Sequence, residues 1–97
     1  MAESKTWVLE DFEARLDQWI EVESPADNLR ILVTAWVLSR FDDPYAGVHR
    51  EPDFGNLWFG PVPGSVHEGR VVVCSYWIYE AERTVRCDSI ATLNLPI

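Results

Sequence analysis

The sequence predicts an α+β fold, with an N-terminal helical hairpin packed on a small antiparallel β-sheet. Three observations carry that reading. Residues 71–79 and 84–93 are β-rich runs joined by a charged turn at Ala81 and Glu82, as in a hairpin. Residues 10–41 instead repeat their apolar side chains at helical spacing. Between them, residues 42–69 hold all five glycines and four of the six prolines (Pro44, Pro52, Pro61 and Pro63), which punctuate turns and exclude long regular elements.

In chain order, residues 1–4 are expected to fray, and residues 5–9 to form a short strand or the lead-in to a helix. Phe12, Leu16, Trp19 and Ile20 then fall at i, i+4, i+7 and i+8, a single apolar stripe. Glu10, Asp11 and Glu13 lie in the first turn, where the helix dipole favours negative charge. Ser24 is placed to N-cap a second helix, with Pro25 at its first position and Asp27 as the capping-box acid. That helix should run to about Phe41. Leu29, Leu32, Val33, Trp36 and Val37 form one stripe, and Ile31, Ala35 and Leu38 a second. A helix so apolar needs cover on two sides. The sheet supplies one, and the first helix or a partner protein the other.

Residues 56–60 read as a short strand leading to the hairpin. In its first run, Val71, Val73, Ser75, Trp77 and Tyr79 alternate with Val72, Cys74, Tyr76 and Ile78. Both sets are largely apolar, so a strand buried on both faces is expected. In the second run Val85, Cys87, Ser89, Ala91 and Leu93 point inward and Thr84, Arg86, Asp88 and Thr92 outward, with Ile90 breaking the alternation. A two-residue loop at Ala81 and Glu82 sets Ile78 opposite Val85 and Tyr76 opposite Cys87. The tail after Leu93 reads as an edge or a loose end.

A chain of 97 residues without a linker or repeat makes one domain, residues 1–97. Its 47% hydrophobic content and five tryptophans argue for a folded core. The net charge is −8, with ten acids and four bases in residues 1–48 against six and four in residues 49–97. Phosphate backbones should repel such a chain, so direct nucleic-acid binding is disfavoured. No apolar run approaches a membrane span, and no basic segment followed by an apolar one reads as a signal peptide; a cytoplasmic location is expected. Cys74 and Cys87 lie on expected neighbouring strands, but their register and a reducing compartment disfavour a disulfide.

Several stretches, covering nearly the whole chain, together resemble the RelE/ParE superfamily of toxin–antitoxin toxins. Trp7-Val8-Leu9-Glu10-Asp11-Phe12-Glu13 looks like that family's first strand running into its first helix. Ser24-Pro25-Ala26 looks like the break before the second helix, and Asn56-Leu57-Trp58-Phe59 like the strand after the loop. Residues 73–86, followed by Ile90, resemble the central hairpin. The resemblance implies a bacterial toxin of a type II system, silenced by an antitoxin that wraps it. Some members cut mRNA on the ribosome without a metal, whereas others bind and inhibit DNA gyrase. The ribonuclease members tend to be basic, and this chain is acidic. The family's hairpin arginine falls near Cys74, and its C-terminal His-Tyr or Tyr has no counterpart in Ala91-Thr92-Leu93-Asn94-Leu95-Pro96-Ile97. The resemblance therefore favours a protein-binding toxin. The alternatives are a ribosome-dependent endoribonuclease and a non-toxic interaction or homodimerisation module.

RNA cleavage by 2′-OH attack needs a base, an acid and cations on the phosphorane. The candidates are His49, His67, Glu68, Arg70, Arg83, Arg86 and Tyr76. Of these, His67, Glu68 and Arg70 form the best catalytic cluster, as base, orienter and phosphate clamp; the competing reading is a polar turn entering a strand. Arg83 and Arg86 either contact phosphate or pair with strand neighbours such as Glu80, Glu82 or Asp88. With Tyr76, Trp36, Trp58 and Trp77 they make up the candidate binding set. Tyr45, Phe54, Trp58, Phe59 and Trp77 are more aromatics than one small core needs. They either anchor the loop or line a groove for an antitoxin helix or strand, or a self-association face. His49, His67, Cys74 and Cys87 lack metal-ligand spacing, and neither a nucleophile elbow nor a phosphate loop is present. No metal and no cofactor is expected.

Overall fold

Two helices lie across one face of a five-stranded mixed sheet in the computed structural model, which describes residues 6–95. The elements are β1 (Val8–Glu10), α1 (Phe12–Glu23), α2 (Asp27–Leu38), a 3₁₀ turn (Ser39–Phe41), β2 (His49–Arg50), β3 (Leu57–Pro61), β4 (Arg70–Tyr79) and β5 (Thr84–Asn94). Their order across the sheet is β1-β5-β4-β3-β2. The class is α+β, as the periodicities imply. The all-antiparallel expectation is corrected at one edge, where β1 runs parallel to β5 with Val8 beside Thr84 and Glu10 beside Arg86. Three residues suffice for this pairing, anchored by the Val8 N–H donating to the Arg83 carbonyl at 2.9 Å. The expected fraying of residues 1–4 lies outside the described residues.

The hairpin register is the expected one near the turn: Ile78 opposes Val85 and Tyr76 opposes Cys87. The Arg83 N–H closes the turn onto the Glu80 carbonyl at 3.1 Å, with Arg83 left-handed at φ 51°. Farther along, Ser75 opposes Ser89, so Asp88 is an extra residue and forms a β-bulge. The bulge corrects the expected faces of β5. Val85, Cys87 and Ile90 are buried and Thr92 meets α1, whereas Leu93 is exposed. Ile90 therefore conforms once the phase shift is counted. The outward Asp88 carboxylate accepts a hydrogen bond from Ser75 Oγ at 3.0 Å.

Val72, Cys74, Tyr76 and Ile78 of β4 are buried with Phe12, Trp19, Val33 and Val37 of the helices. The other face is less covered than expected: Val71 is buried, but Val73, Ser75, Trp77 and Tyr79 are only half-buried, because neither helix packs there. Short β2 was not evident among the turn signals. It pairs His49 with Phe59, and Gly60 permits the approach, since a Cβ there would stand 2.8 Å from the Gly47 carbonyl oxygen.

The stripe of α1 is as expected, with Phe12 and Trp19 buried. Ser24 does not N-cap α2. It sits left-handed at φ 46° and caps α1, its N–H donating to the Ile20 carbonyl at 2.8 Å, so that α2 begins at Asp27 with Ala26 as N-cap. The second apolar stripe of α2 finds no cover: Ile31 is 66% and Leu38 54% exposed.

Candidate functional site

The sequence His67-Glu68-Gly69-Arg70 folds into a two-residue hairpin turn. Glu68 and Gly69 both take positive φ, 50° and 73°, as a type I′ turn demands. Reciprocal backbone hydrogen bonds of 2.8 Å join His67 and Arg70. Facing residues of a hairpin point to the same side, so the turn sets both side chains toward the break between α1 and α2.

There they line a cleft of about 500 Å³ with Glu23, Ser24, Pro25, Leu29, Leu32, Ser65 and Thr92. Arg70 Nη2 is held by Glu23 Oε1 at 3.0 Å, both side chains partly buried. His67 Nδ1 lies 2.8 Å from the Ser65 carbonyl oxygen. A carbonyl only accepts, so Nδ1 carries the proton, and in the neutral ring Nε2 keeps a lone pair for a base. Glu68 is exposed at the turn's tip. The cleft thus unites His67 with Arg70 as the sequence suggested. It also adds Glu23 of α1, which sequence reasoning did not single out and which neutralises the guanidinium. Among the described residues no three His, Cys, Asp or Glu side chains converge as metal ligands would.

The rest of the candidate binding set is scattered. Arg86 pairs with Glu10 at 3.4 Å, rather than with the hairpin acids, and lies over the Tyr79 ring. The parallel edge strand supplies that carboxylate. Arg83 stacks on Trp7 with its guanidinium carbon 4.4 Å from the ring centroid. Trp36 and Trp58 are half-buried on the helix side, where Trp58 meets Tyr45 edge-on at 5.0 Å. Trp77 stands on the opposite face against Phe54 at 6.1 Å.

Tyr76 must be removed from the binding set. It is wholly buried, donates to the Pro44 carbonyl and accepts from Arg40 Nη1 at 3.1 Å. Its place on the inward face of β4 leaves it no surface for a ligand. Burial pushes its pKa up to about 12, against the opposing pull of Arg40. Burial, and then a hydrogen bond to Glu80, raise Tyr45 to about 12 as well.

These shifts make an alkaline prediction. The folded pKa values lie above the unfolded value, so the stability they confer is fully present below about pH 10 and is lost as pH rises toward 12. The buried Tyr76 alone should remove about 2–3 kcal/mol across that window. Urea unfolding at several alkaline pH values should show the decline, and Tyr76→Phe should flatten it; an equally steep fall in that variant would refute the assignment.

Cys74 and Cys87 are both buried free thiols. The hydrogen bond with Cys87, and then burial, hold the Cys74 thiol well above its ordinary pKa, so neither the charge nor the access that thiolate chemistry needs is present.

Arg40 was not singled out from sequence, yet it is the most unusual charge in the fold. It is 4% exposed and has no ion-pair partner among the described residues. Nη1 donates to the Ala46 carbonyl at 2.7 Å and to Tyr76, while Nη2 donates to Ser39 Oγ at 3.0 Å. Its guanidinium carbon lies 4.1 Å from the Trp36 ring centroid. Periodicity could have revealed it, because Arg40 follows Val33 and Trp36 by i+7 and i+4 on the inward stripe.

The chain matches no protein-family model, and no curated protein matches it. No helix among the described residues is long and apolar enough to cross a membrane.

Proposed function

We propose that this chain is a toxin-like protein of the RelE/ParE superfamily, belonging to a type II toxin–antitoxin system and working by binding proteins in the bacterial cytoplasm. Its partners are a cognate antitoxin and a cellular target such as gyrase. The resemblance in the order of strand, two helices, loop and central hairpin supports the family. The observation that carries protein binding is the apolar surface left open by the fold: the outer stripe of α2 and the half-covered sheet face around Trp77. The cleft at His67 supports the non-hydrolytic kind, because among its described lining residues Arg70 is already tied to Glu23 and no second Lys or Arg stands ready for a phosphorane.

The ribonuclease reading keeps one favourable observation, the Nε2 lone pair that the Ser65 carbonyl leaves on His67. Inducible expression in bacteria separates the readings. Growth arrest with intact mRNA is expected. Arrest with cleaved mRNA, abolished by His67→Ala, would make the chain a ribonuclease; no arrest would leave a non-toxic interaction module.

A further inference from the structure

We propose that the outer groove between α1 and α2 receives a basic amphipathic helix from another protein. This rests on, and makes specific, the protein-binding reading above.

The groove, about 500 Å³, is lined by Ile20, Arg30, Ile31, Thr34, Ala35 and Leu38. It is distinct from the His67 cleft, with which it shares no residue. Ile31, Ala35 and Leu38 fall at i, i+4 and i+7, the spacing at which one helix presents a seam to another. They are surplus to the core, since Val33 and Val37 already fill the side facing the sheet. The 12 residues of α2 offer a seam about 18 Å long at the usual helical rise, enough for roughly three turns of a docked helix.

The rim decides the occupant. On α1, Glu13 and Asp17 precede Ile20 by seven and three residues, and on α2 Asp27 precedes Ile31 by four. All three acids are exposed. Arg30, the one cation among the groove's described lining residues, is paired with Asp27 at 3.1 Å. Residues 12–38 carry five acids, Glu13, Asp17, Glu21, Glu23 and Asp27, against two bases, Arg15 and Arg30. A second copy would bring the same acids to the same rim, on a chain of charge −8, and like charges set face to face oppose association. An amphipathic helix with apolar residues at i, i+3 or i+4 and i+7, flanked by Lys or Arg, fits both floor and rim.

The test uses the full chain and two labelled synthetic peptides with one leucine seam, one flanked by lysines and arginines, the other by glutamates. The basic peptide should shift backbone amide resonances in α1 and α2. It should bind more weakly as salt is raised. Ile31→Ser and Leu38→Ser should each weaken it by about tenfold, while Val22→Ser, exposed on α1 but outside the groove, should not. Equal binding of both peptides, binding of neither, resonance shifts confined to the sheet, or a dimer that Ile31→Ser dissociates would each overturn the proposal. Groove binding without growth arrest would refute the toxin reading and leave the groove intact. Growth arrest with a groove indifferent to these peptides would do the reverse.

Discussion

Arg40→Ala is expected to destabilise the fold by about 3 kcal/mol, from the loss of several buried hydrogen bonds at once. The guanidinium spans three parts of the molecule: the end of α2 through Ser39 and Trp36, the following loop through the Ala46 carbonyl, and β4 through the Tyr76 hydroxyl. Tyr76 fastens the same loop through the Pro44 carbonyl. Alanine would leave the Ala46 carbonyl without its donor and open a void over Trp36. A domain of this size has about 5–15 kcal/mol of stability in all, so the loss should be plain in urea. Arg40→Lys keeps the charge but loses the planar fork and the stack, and should fall between the two. Combined with Tyr76→Phe, Arg40→Ala should cost less than the sum of the single changes, because both cut one network. An unchanged urea midpoint for Arg40→Ala would show that the loop stands without it.

Trp19→Ala should cost still more, about 4 kcal/mol, as expected when a buried indole is truncated. Trp19 is 2% exposed at the middle of α1, and its Nε1 donates to Thr92 Oγ1 at 2.8 Å. That bond joins the first helix to the last strand across 73 positions of sequence. Trp19→Phe keeps much of the packing and loses the donor, so about 1 kcal/mol should go. Thr92→Val should lose a similar amount, and the double variant little more than either. A Trp19→Ala protein within about 1 kcal/mol of wild type would mean that α1 is not held through this side chain.

What could be read from the residues depended on how local the cause was. The α1 stripe and the register near Ala81 and Glu82 follow from patterns a few residues long, and the structure has both. Ser24 had the chemistry of an N-cap, but the end of α1 claimed it first, one turn after Ile20. Dense side-chain apolarity on β4 suggested two covered faces, whereas coverage depends on where the helices lie, a tertiary matter. β2 is two residues long and is held by pairing to β3, so no periodicity could announce it. At the site, the local His67–Arg70 turn was legible as a cluster. Glu23 was not legible as its partner, because 47 positions separate it from Arg70.

The surplus residue at Asp88 divides the last strand into two halves of opposite parity. Before it, odd-numbered positions such as Val85 and Cys87 face the helices; after it, even-numbered ones such as Ile90 and Thr92 do. Any relative lacking that residue must therefore be aligned with a one-position gap between Cys87 and Ile90. An ungapped comparison would match interior positions to solvent positions through the whole carboxyl-terminal half of the strand, and genuine kinship would register there as disagreement.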